Sequence, residues 1–305
     1  MEMVPVLLRQ LTIMALYMAV GYFLFRKKLV SVQGCKELGN LLINVILPCT
    51  IISSFRAERT PEQVSALLWS TFLSLLSLLL TFLVCTVCFR RRKIEHFGVS
   101  FSNVGFVGLP LVTSLMGEKG VLYVIPFIAL LNVFQWTYGI AVISGSTEGI
   151  QPRQLLRNPI IISVVVGLAV FVLQPPLPEA FTGAVSSLAS MNAPVAMIIL
   201  GIYLAQVELK SLFTAKILYV SSAVRLLLIP ELTVLLLLPF PADPMLRLAV
   251  LISGSAPLGS LAAIFAQMYD EDYALAVREI CLSTILCVVT MPLVVVVFSG
   301  LAGIG

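Results

Sequence analysis

Charged residues are scarce in this 305-residue chain: they make up 11% of it, whereas hydrophobic residues make up 59%. The mean hydropathy is +1.06. A soluble globular protein carries roughly 25% charged residues, because its surface must stay solvated. About 20 apolar residues are needed for one membrane-crossing helix, and roughly ten such helices fill the chain. The composition therefore predicts a single all-α membrane domain and leaves no room for a soluble one.

Histidine is nearly absent, and the sequence contains no recognisable catalytic or metal-binding set. Cys85 and Cys88 have the spacing of zinc ligands, but His96 is the only imidazole, and no polar second shell accompanies them. An intramembrane protease needs a nucleophile with a nearby base or two buried acids, and the three aspartates all fall in predicted loops. We therefore expect no enzyme activity, no metal and no cofactor.

The apolar runs predict ten transmembrane helices in two sets of five. Residues 1–145 form the first five-helix repeat, residues 146–158 a cytoplasmic linker, and residues 159–305 the second repeat. The predicted helices are residues 5–25, 36–55, 63–89, 96–116, 120–144, 159–174, 180–205, 216–238, 246–268 and 273–299.

Lysine and arginine are distributed unevenly among the predicted loops. Twelve follow odd-numbered helices, and three follow even-numbered ones. The positive-inside rule then places the odd loops in the cytoplasm and both termini outside, in the cell membrane. The first apolar run precedes its basic cluster, Arg26 to Lys28, so we expect a retained helix and not a cleaved signal peptide. The net charge of the chain is +4, but the basic residues lie in short loops beside apolar runs. Nucleic acid is therefore not an expected partner.

Two pairs of prolines predict an internal repeat. Pro48 and Pro194 lie 146 residues apart inside the second and seventh helices, and Pro110 and Pro257 lie 147 residues apart inside the fourth and ninth. Five helices per repeat place the two halves in opposite orientations, as in many secondary transporters. The alternative is coincidence among the 17 prolines of the chain.

The fourth and ninth helices carry the strongest candidates for a binding site. The fourth contains Asn103, Gly108 and Pro110, and the ninth contains Ser255 and Pro257. Broken backbone at membrane depth is tolerated only where protein or a water-filled cavity lines it. We therefore predict two broken helices that cross at a substrate site, where free N–H groups at half-helix N-termini favour an anion. Ordinary proline kinks with small residues for close packing are the alternative.

A few polar residues inside predicted helices are further candidates, since intramembrane charges are costly. Glu231 is either a proton carrier or an outer-end residue that reaches water, and Arg225, six residues away, lies on another face of the same helix. Gln135 either lines the cavity or holds helices together. Arg278 and Glu279 are expected to make structural contacts near a helix start.

At these motifs the chain resembles the auxin efflux carrier family, which includes the plant PIN carriers and many bacterial anion permeases. The resemblance covers nearly the whole chain. It is carried by NLLINVILPCTIISSF in the second helix, NVGFVGLPL in the fourth, RNPII in the sixth, and the tract from APLGSLAAIFAQM to TMPLVVVVFSGL at the end.

This resemblance implies the fold of the sodium–proton antiporters and bile-acid symporters, with crossed, broken fourth and ninth helices. It also implies a scaffold of helices 1, 2, 6 and 7, a transport domain of helices 3–5 and 8–10, a homodimer and elevator-type alternating access. Asn103 and Asn158 become candidate substrate ligands, with Pro110 and Pro257 at the crossover.

The short linker resembles that of compact bacterial members of the family. A small carboxylate such as malonate or malate is therefore the expected substrate and partner, in addition to the lipid bilayer. The alternatives are export of auxin-like indole carboxylates, a channel, or a membrane sensor that binds the ligand without moving it.

Overall fold

The computed structural model describes residues 3–56, 59–146, 153 and 156–303, and this part of the chain is almost entirely helical. Most of the predicted linker, 146–158, lies outside the described residues. The helices, in chain order, are α1 Met3–Arg26, α2 Val32–Ser54, α3 Pro61–Phe89, α4 Lys93–Ser100, α5 Val104–Ser144, α6 Pro159–Leu173, α7 Glu179–Gln206, α8 Lys216–Leu237, α9 Pro244–Ser255, α10 Leu261–Met268 and α11 Tyr273–Ala302. A short 3₁₀ helix, Leu209–Phe213, precedes α8.

Each predicted helix has a counterpart whose ends lie within four residues of the predicted ones. The predicted fourth helix corresponds to α4 and the first arm of α5, and the predicted ninth corresponds to α9 and α10. The fourth and fifth predicted helices meet at Gly117, where the backbone of α5 leaves the helical region with φ 63° and ψ −153°. Only glycine adopts such a conformation readily, so the helix kinks at this residue.

Seven of the described helices are long and apolar enough to cross a membrane, and α6 and α9 are shorter apolar helices. Large apolar side chains cover much of their outer surface, for example Phe23 on α1, Leu83 on α3 and Val289 on α11. A water-exposed surface of this kind would be unfavourable, so these faces fit contact with lipid.

A π-helical turn precedes a proline in three of the helices. In each case one residue separates the end of the π-turn from the proline. The turns and their prolines are Leu42–Ile46 with Pro48, Val104–Gly108 with Pro110, and Val224–Leu228 with Pro230. Proline lacks an N–H and clashes with the carbonyl four residues earlier, and a π-turn widens the helix at that point. These prolines are therefore accommodated without a break in the helix.

The helices pack in two groups. Helices α1, α2, α6 and α7 form one group, and α3, α5, α8, α9 and α11 form the other together with the short helices α4 and α10. The groups meet where α5 and α11 contact α1, α6 and α7. Helices α1 and α7 cross at Gly21 and Gly201, where a Cβ atom would overlap backbone atoms of the opposite helix. The first group is therefore held by direct backbone contact.

Candidate functional site

The gap between α4 and α5 crosses the gap between α9 and α10. Two backbone hydrogen bonds join the crossing segments: the N–H of Asn103 donates to the carbonyl of Pro257, and the N–H of Gly259 donates to the carbonyl of Phe101, each at 2.8 Å. The extended backbone of each segment thereby satisfies groups that neither helix can satisfy itself. Four half-helix ends meet at this crossing.

The break between α4 and α5 lies nearer the N-terminus than Pro110, where the sequence predicted it. Ser102 and Leu258 pair as an antiparallel bridge at the centre of the crossing. Pro257 is at the crossing, as predicted, but Pro110 lies inside α5, several residues beyond it. The prediction that Pro110 marks the crossover is therefore wrong, because the π-turn before this proline keeps the helix continuous.

Two glycines lie where the crossing segments and helices meet, and one of them permits an unusually close approach. A Cβ atom on Gly259 would lie 2.7 Å from the carbonyl oxygen of Phe101, too close for any side chain. A Cβ atom on Gly108 would lie 3.5 Å from the Cα atom of Ser253 on α9, an ordinary van der Waals contact that does not itself require glycine. Gly108, predicted as a site residue, thus packs α5 against α9.

Arg225 occupies the side of the crossing where α4 and α9 end. It is 1% exposed. Its guanidinium donates to the carbonyl of Val99 at 3.0 Å, to that of Ala256 at 2.9 Å, and to that of Gly254. These are the last carbonyls of two half-helices, where the backbone dipoles leave partial negative charge. The prediction gave Arg225 a coupling or cavity role, whereas the structure engages all of its nitrogens with the backbone.

A small pocket of about 50 Å³ lies on the other side, where α5 and α10 begin. We call it the crossover pocket. Its polar lining comes from Ser102, Asn103, Asn132, Gln135 and Ser260. The first turns of α5 and α10 contribute free N–H groups and partial positive charge here, and no acidic side chain is among the lining residues. The pocket is therefore electrostatically suited to a negatively charged group.

Asn103 and Asn158, both predicted as substrate ligands, have different roles in the structure. Asn158 caps α6, and its side-chain oxygen accepts hydrogen bonds from the backbone N–H groups of Ile160 at 2.8 Å and Ile161 at 3.4 Å. Asn103 occupies the corresponding position before α5 but makes no such cap. Its Nδ2 is buried without a partner. Asn103 therefore offers an unused donor to the crossover pocket, whereas Asn158 is not among the residues that line it.

Gln135 supplies an unused acceptor in the same pocket. The side chain is 2% exposed, and its Oε1 has no hydrogen-bond partner. It lies at the start of a π-helical turn, Gln135–Gly139, in the second arm of α5. Buried polar groups are nearly always hydrogen-bonded, so Asn103 and Gln135 together indicate a place for a polar ligand. The structure therefore favours the cavity role of Gln135 over simple helix packing.

Two larger cavities flank the crossover pocket at opposite ends of α2 and α7. The first, about 370 Å³, is lined by the end of α2 and the start of α7; we call it the hydroxyl cavity after Thr50, Ser54, Thr113 and Ser190. The second, about 220 Å³, is lined by the start of α2 and the end of α7 together with α10. We call it the tyrosine cavity after Tyr203 and Tyr273, which line it with Lys36 and Asn40.

Asn192 on α7 separates the crossover pocket from the hydroxyl cavity. It lines the cavity, and its Nδ2 donates to the carbonyl of Gly105 in the wall of the pocket at 3.0 Å. From its position two residues before Pro194, the sequence predicts that Asn192 satisfies a freed backbone group, and in the structure its partner is the Gly105 carbonyl of α5. Pro110 lines the same cavity.

Ser255 and Glu231 lie away from the crossover pocket. Ser255 is the last residue of α9, and its hydroxyl oxygen is buried without a partner, but it is not among the residues that line the three cavities. Glu231 is exposed on α8 and lines none of the three cavities. Of the two roles left open for Glu231, the structure favours an outward-facing residue.

The comparison with protein families gives one extensive match. The profile of the family described as "Membrane transport protein" matches residues 6–295. No curated protein matches the chain. The match spans both groups of helices and the whole crossing.

Proposed function

This chain belongs to the membrane transport protein family, the auxin efflux carrier type that the sequence motifs resemble, and on that premise we propose that it is a secondary carrier of a small organic anion. The family is one of transporters and not of enzymes. The proposed cargo is a compact carboxylate, with malate and malonate as the first candidates.

The unpartnered side chain of Asn103 is the observation that carries this proposal. Leaving a buried donor unsatisfied costs about 1–3 kcal/mol, and Asn103 bears this cost at the N-terminus of a half-helix where a capping bond was available. A carboxylate in the crossover pocket would accept from Asn103 Nδ2 and from N–H groups at the start of α5 or α10. Its negative charge would also face the positive ends of both helices.

The size and polarity of the crossover pocket favour a small substrate. A volume of about 50 Å³ suits a carboxylate group better than an indole ring. The free Oε1 of Gln135 is an acceptor, so it would pair with a substrate that carries a hydroxyl group beside its carboxylate. The hydroxyl group of malate could pair with Gln135 Oε1, so malate is preferred to malonate, which lacks a hydroxyl, and to the bulkier indole acid.

The two flanking cavities support alternating access as the mode of transport. Each is formed between the first group of helices and the second, and they open at opposite ends of α2 and α7. The proposed carrier has ten membrane-spanning segments in two inverted repeats. The group of α3–α5 and α8–α11 moves as an elevator against α1, α2, α6 and α7. In this scheme the scaffold also forms a homodimer, and the basic loops face the cytoplasm of the cell membrane.

Flux in proteoliposomes tests the proposal. Radiolabelled malate, malonate and indole-3-acetate are offered to vesicles that contain the purified protein, with and without unlabelled acid trapped inside. We expect saturable uptake of malate that trapped acid accelerates, since such counterflow requires a carrier and not a channel or a sensor. Asn103→Ala should reduce malate uptake at least tenfold, because about 1.4 kcal/mol of lost binding corresponds to a factor of ten.

The matched control is Asn44→Ala. Asn44 lies on α2, and its Nδ2 donates to the carbonyl of Asn40 within the same helix at 2.8 Å. This variant should retain uptake. The proposal is wrong if none of the three acids moves, or if Asn103→Ala and Asn44→Ala transport malate equally.

A further inference from the structure

Glu279 is a buried acid that the proposed anion site does not use. It lies on α11, is 1% exposed, and packs against the crossing. One carboxylate oxygen, Oε1, accepts a hydrogen bond of 2.6 Å from the hydroxyl of Ser221 on α8. The other, Oε2, is buried without a partner. The sequence analysis expected Glu279 to make structural contacts, and Ser221 is one of them, but a single hydrogen bond does not complete the coordination of a carboxylate.

The free oxygen, Glu279 Oε2, faces a narrow space beside α4. A Cβ atom on Gly98 would lie 3.4 Å from Glu279 Oε2 and 2.8 Å from the side chain of Leu258 at the crossing. One turn further along α11, the hydroxyl of Ser283 accepts from the N–H of Leu258 at 3.2 Å. Helix α11 therefore reaches both half-helix systems near the crossing, with Glu279 beside Gly98 of α4 and Ser283 bonded to Leu258.

No cation pairs with Glu279 in the described part of the chain. The charged groups near enough to act on it are Glu95 on α4, Arg92 just before α4, and its neighbour Arg278 on α11. Arg92 is engaged with Glu95 in an ion pair of 3.0 Å, and Arg278 donates to a carbonyl of its own helix. On α8 the facing groups are Ser221 and, one turn on, Arg225, whose nitrogens are taken by backbone carbonyls.

An ionised carboxylate in such a place is expensive unless it is paired or fully hydrogen-bonded. A bound proton removes the charge with no change in packing. The opening between Oε2, Gly98 and Leu258 is too narrow for a hydrated cation or an organic ligand, so the proton is the ligand that the geometry admits.

We propose that Glu279 is a proton-binding site and that its proton is transported together with the anion. The step is a simple proton transfer: Oε2 of the carboxylate takes up one proton from water to give the neutral acid, and later returns it. Glu95 and the exposed Arg92 connect this region of α4 to the surface.

Proton binding at Glu279 is coupled to anion binding because the bound anion and the ionised Glu279 carboxylate carry like charges near the same crossing. The Asn103 N–H is bonded to Pro257, the residue before Leu258, so the anion site and Glu279 are separated by only a few packed residues. An anion in the crossover pocket raises the cost of a second negative charge nearby and so favours protonated Glu279. Linkage requires the reverse as well: a proton on Glu279 strengthens anion binding by the same factor. This coupling rests on the proposed function.

Infrared spectroscopy tests the proton site without any substrate. The purified wild-type protein should show the carbonyl band of a buried carboxylic acid near neutral pH, and this band should disappear as the pH rises. Glu279→Gln, which keeps an oxygen for the Ser221 hydrogen bond, should lack the band. Glu231→Gln, in which an exposed acid of α8 is changed, should retain it. An identical band in Glu279→Gln and wild type would refute the site.

Malate uptake tests the coupling. An acidic exterior should accelerate wild-type uptake severalfold, whereas Glu279→Gln should show no response to the pH gradient while still exchanging labelled for unlabelled malate. Glu231→Gln should respond like wild type. A full response in Glu279→Gln would overturn the coupling. Absence of malate, malonate and indole-3-acetate uptake in the wild type would count against the proposed function instead, and the infrared titration would still decide the proton site.

Discussion

Arg225 shows how one side chain makes the crossing possible. Three carbonyls from α4, α9 and the crossing segment converge on its guanidinium. These carbonyls lie at the ends of half-helices, where no N–H of the same helix is available to pair with them. The cation also offsets the like partial charges of two helix C-termini that face each other. At the residue scale, the crossing depends on this cation and on Gly259.

Replacing Arg225 by methionine should destabilise the protein strongly. The change keeps an apolar chain of similar length but leaves three buried carbonyls unsatisfied, at about 1–3 kcal/mol each. We expect the melting temperature in detergent to fall sharply, and Arg225→Lys to recover only part of it, because one ammonium lacks the planar fork of donors. Arg9→Met, at an exposed position of α1, is the control. A melting temperature of Arg225→Met equal to that of Arg9→Met would contradict this role.

Sequence alone identified several residues of the site but not their tasks. Asn103, Gln135 and Arg225 are conspicuous because polar groups are rare in apolar helices. Whether an asparagine binds a ligand or caps a helix depends on the atoms around its amide, which is why Asn158 could not be distinguished from Asn103. The sequence predicts a structural role for Glu279 because it lies near a helix start, whereas its neighbours in space come from α4 and α8.

At the scale of helices, close backbone contact sets the arrangement of the first group. Gly21 on α1 faces the main chain of α7, and Gly201 on α7 faces the main chain of α1. In lipid, helices associate through such close packing and not through hydrophobic burial. A side chain at either position would separate the two helices along their length.

Gly201→Ala should therefore destabilise the protein although alanine is the better helix former. Its Cβ would meet the backbone of Met18, and overpacking of this kind costs about 1–3 kcal/mol. Gly183→Ala, also on α7 but with open space around its Cβ position, should be neutral or slightly stabilising. Thermal unfolding of both variants in the same detergent separates the two effects, and equal melting temperatures would show that the α1–α7 crossing is loose.

Helix positions were predictable because long apolar runs separated by glycine, proline and charge leave few alternatives. The exact position of a helix break was not. Pro110 looks equivalent to Pro257 in sequence, yet a π-turn absorbs Pro110, while the break at Ser102 arises from pairing with Leu258, a residue 156 positions away. Local sequence does not contain that pairing.

At the scale of the whole molecule, two groups of helices enclose a polar crossing with one cavity on each side. The all-helical membrane character followed from composition alone. The number of spans, the inverted repeat, the orientation and the dimer remain predictions, since seven described helices meet the length and hydropathy of a membrane span. The structure adds the positions of the two cavities, and the proposed alternating access predicts that relative motion of the two groups opens one and closes the other.

Cysteine labelling at the two cavities tests whether the crossing is the anion site of an alternating carrier. Thr113→Cys reports on the hydroxyl cavity and Asn40→Cys on the tyrosine cavity, each with the less buried Cys49 and Cys88 replaced by serine. Saturating malate should change the two rates of reaction with a soluble maleimide in opposite directions, and Asn103→Ala should abolish both changes. Rates that do not respond to malate, that move together, or that respond equally in Asn103→Ala would contradict an anion-driven alternation centred on this crossing.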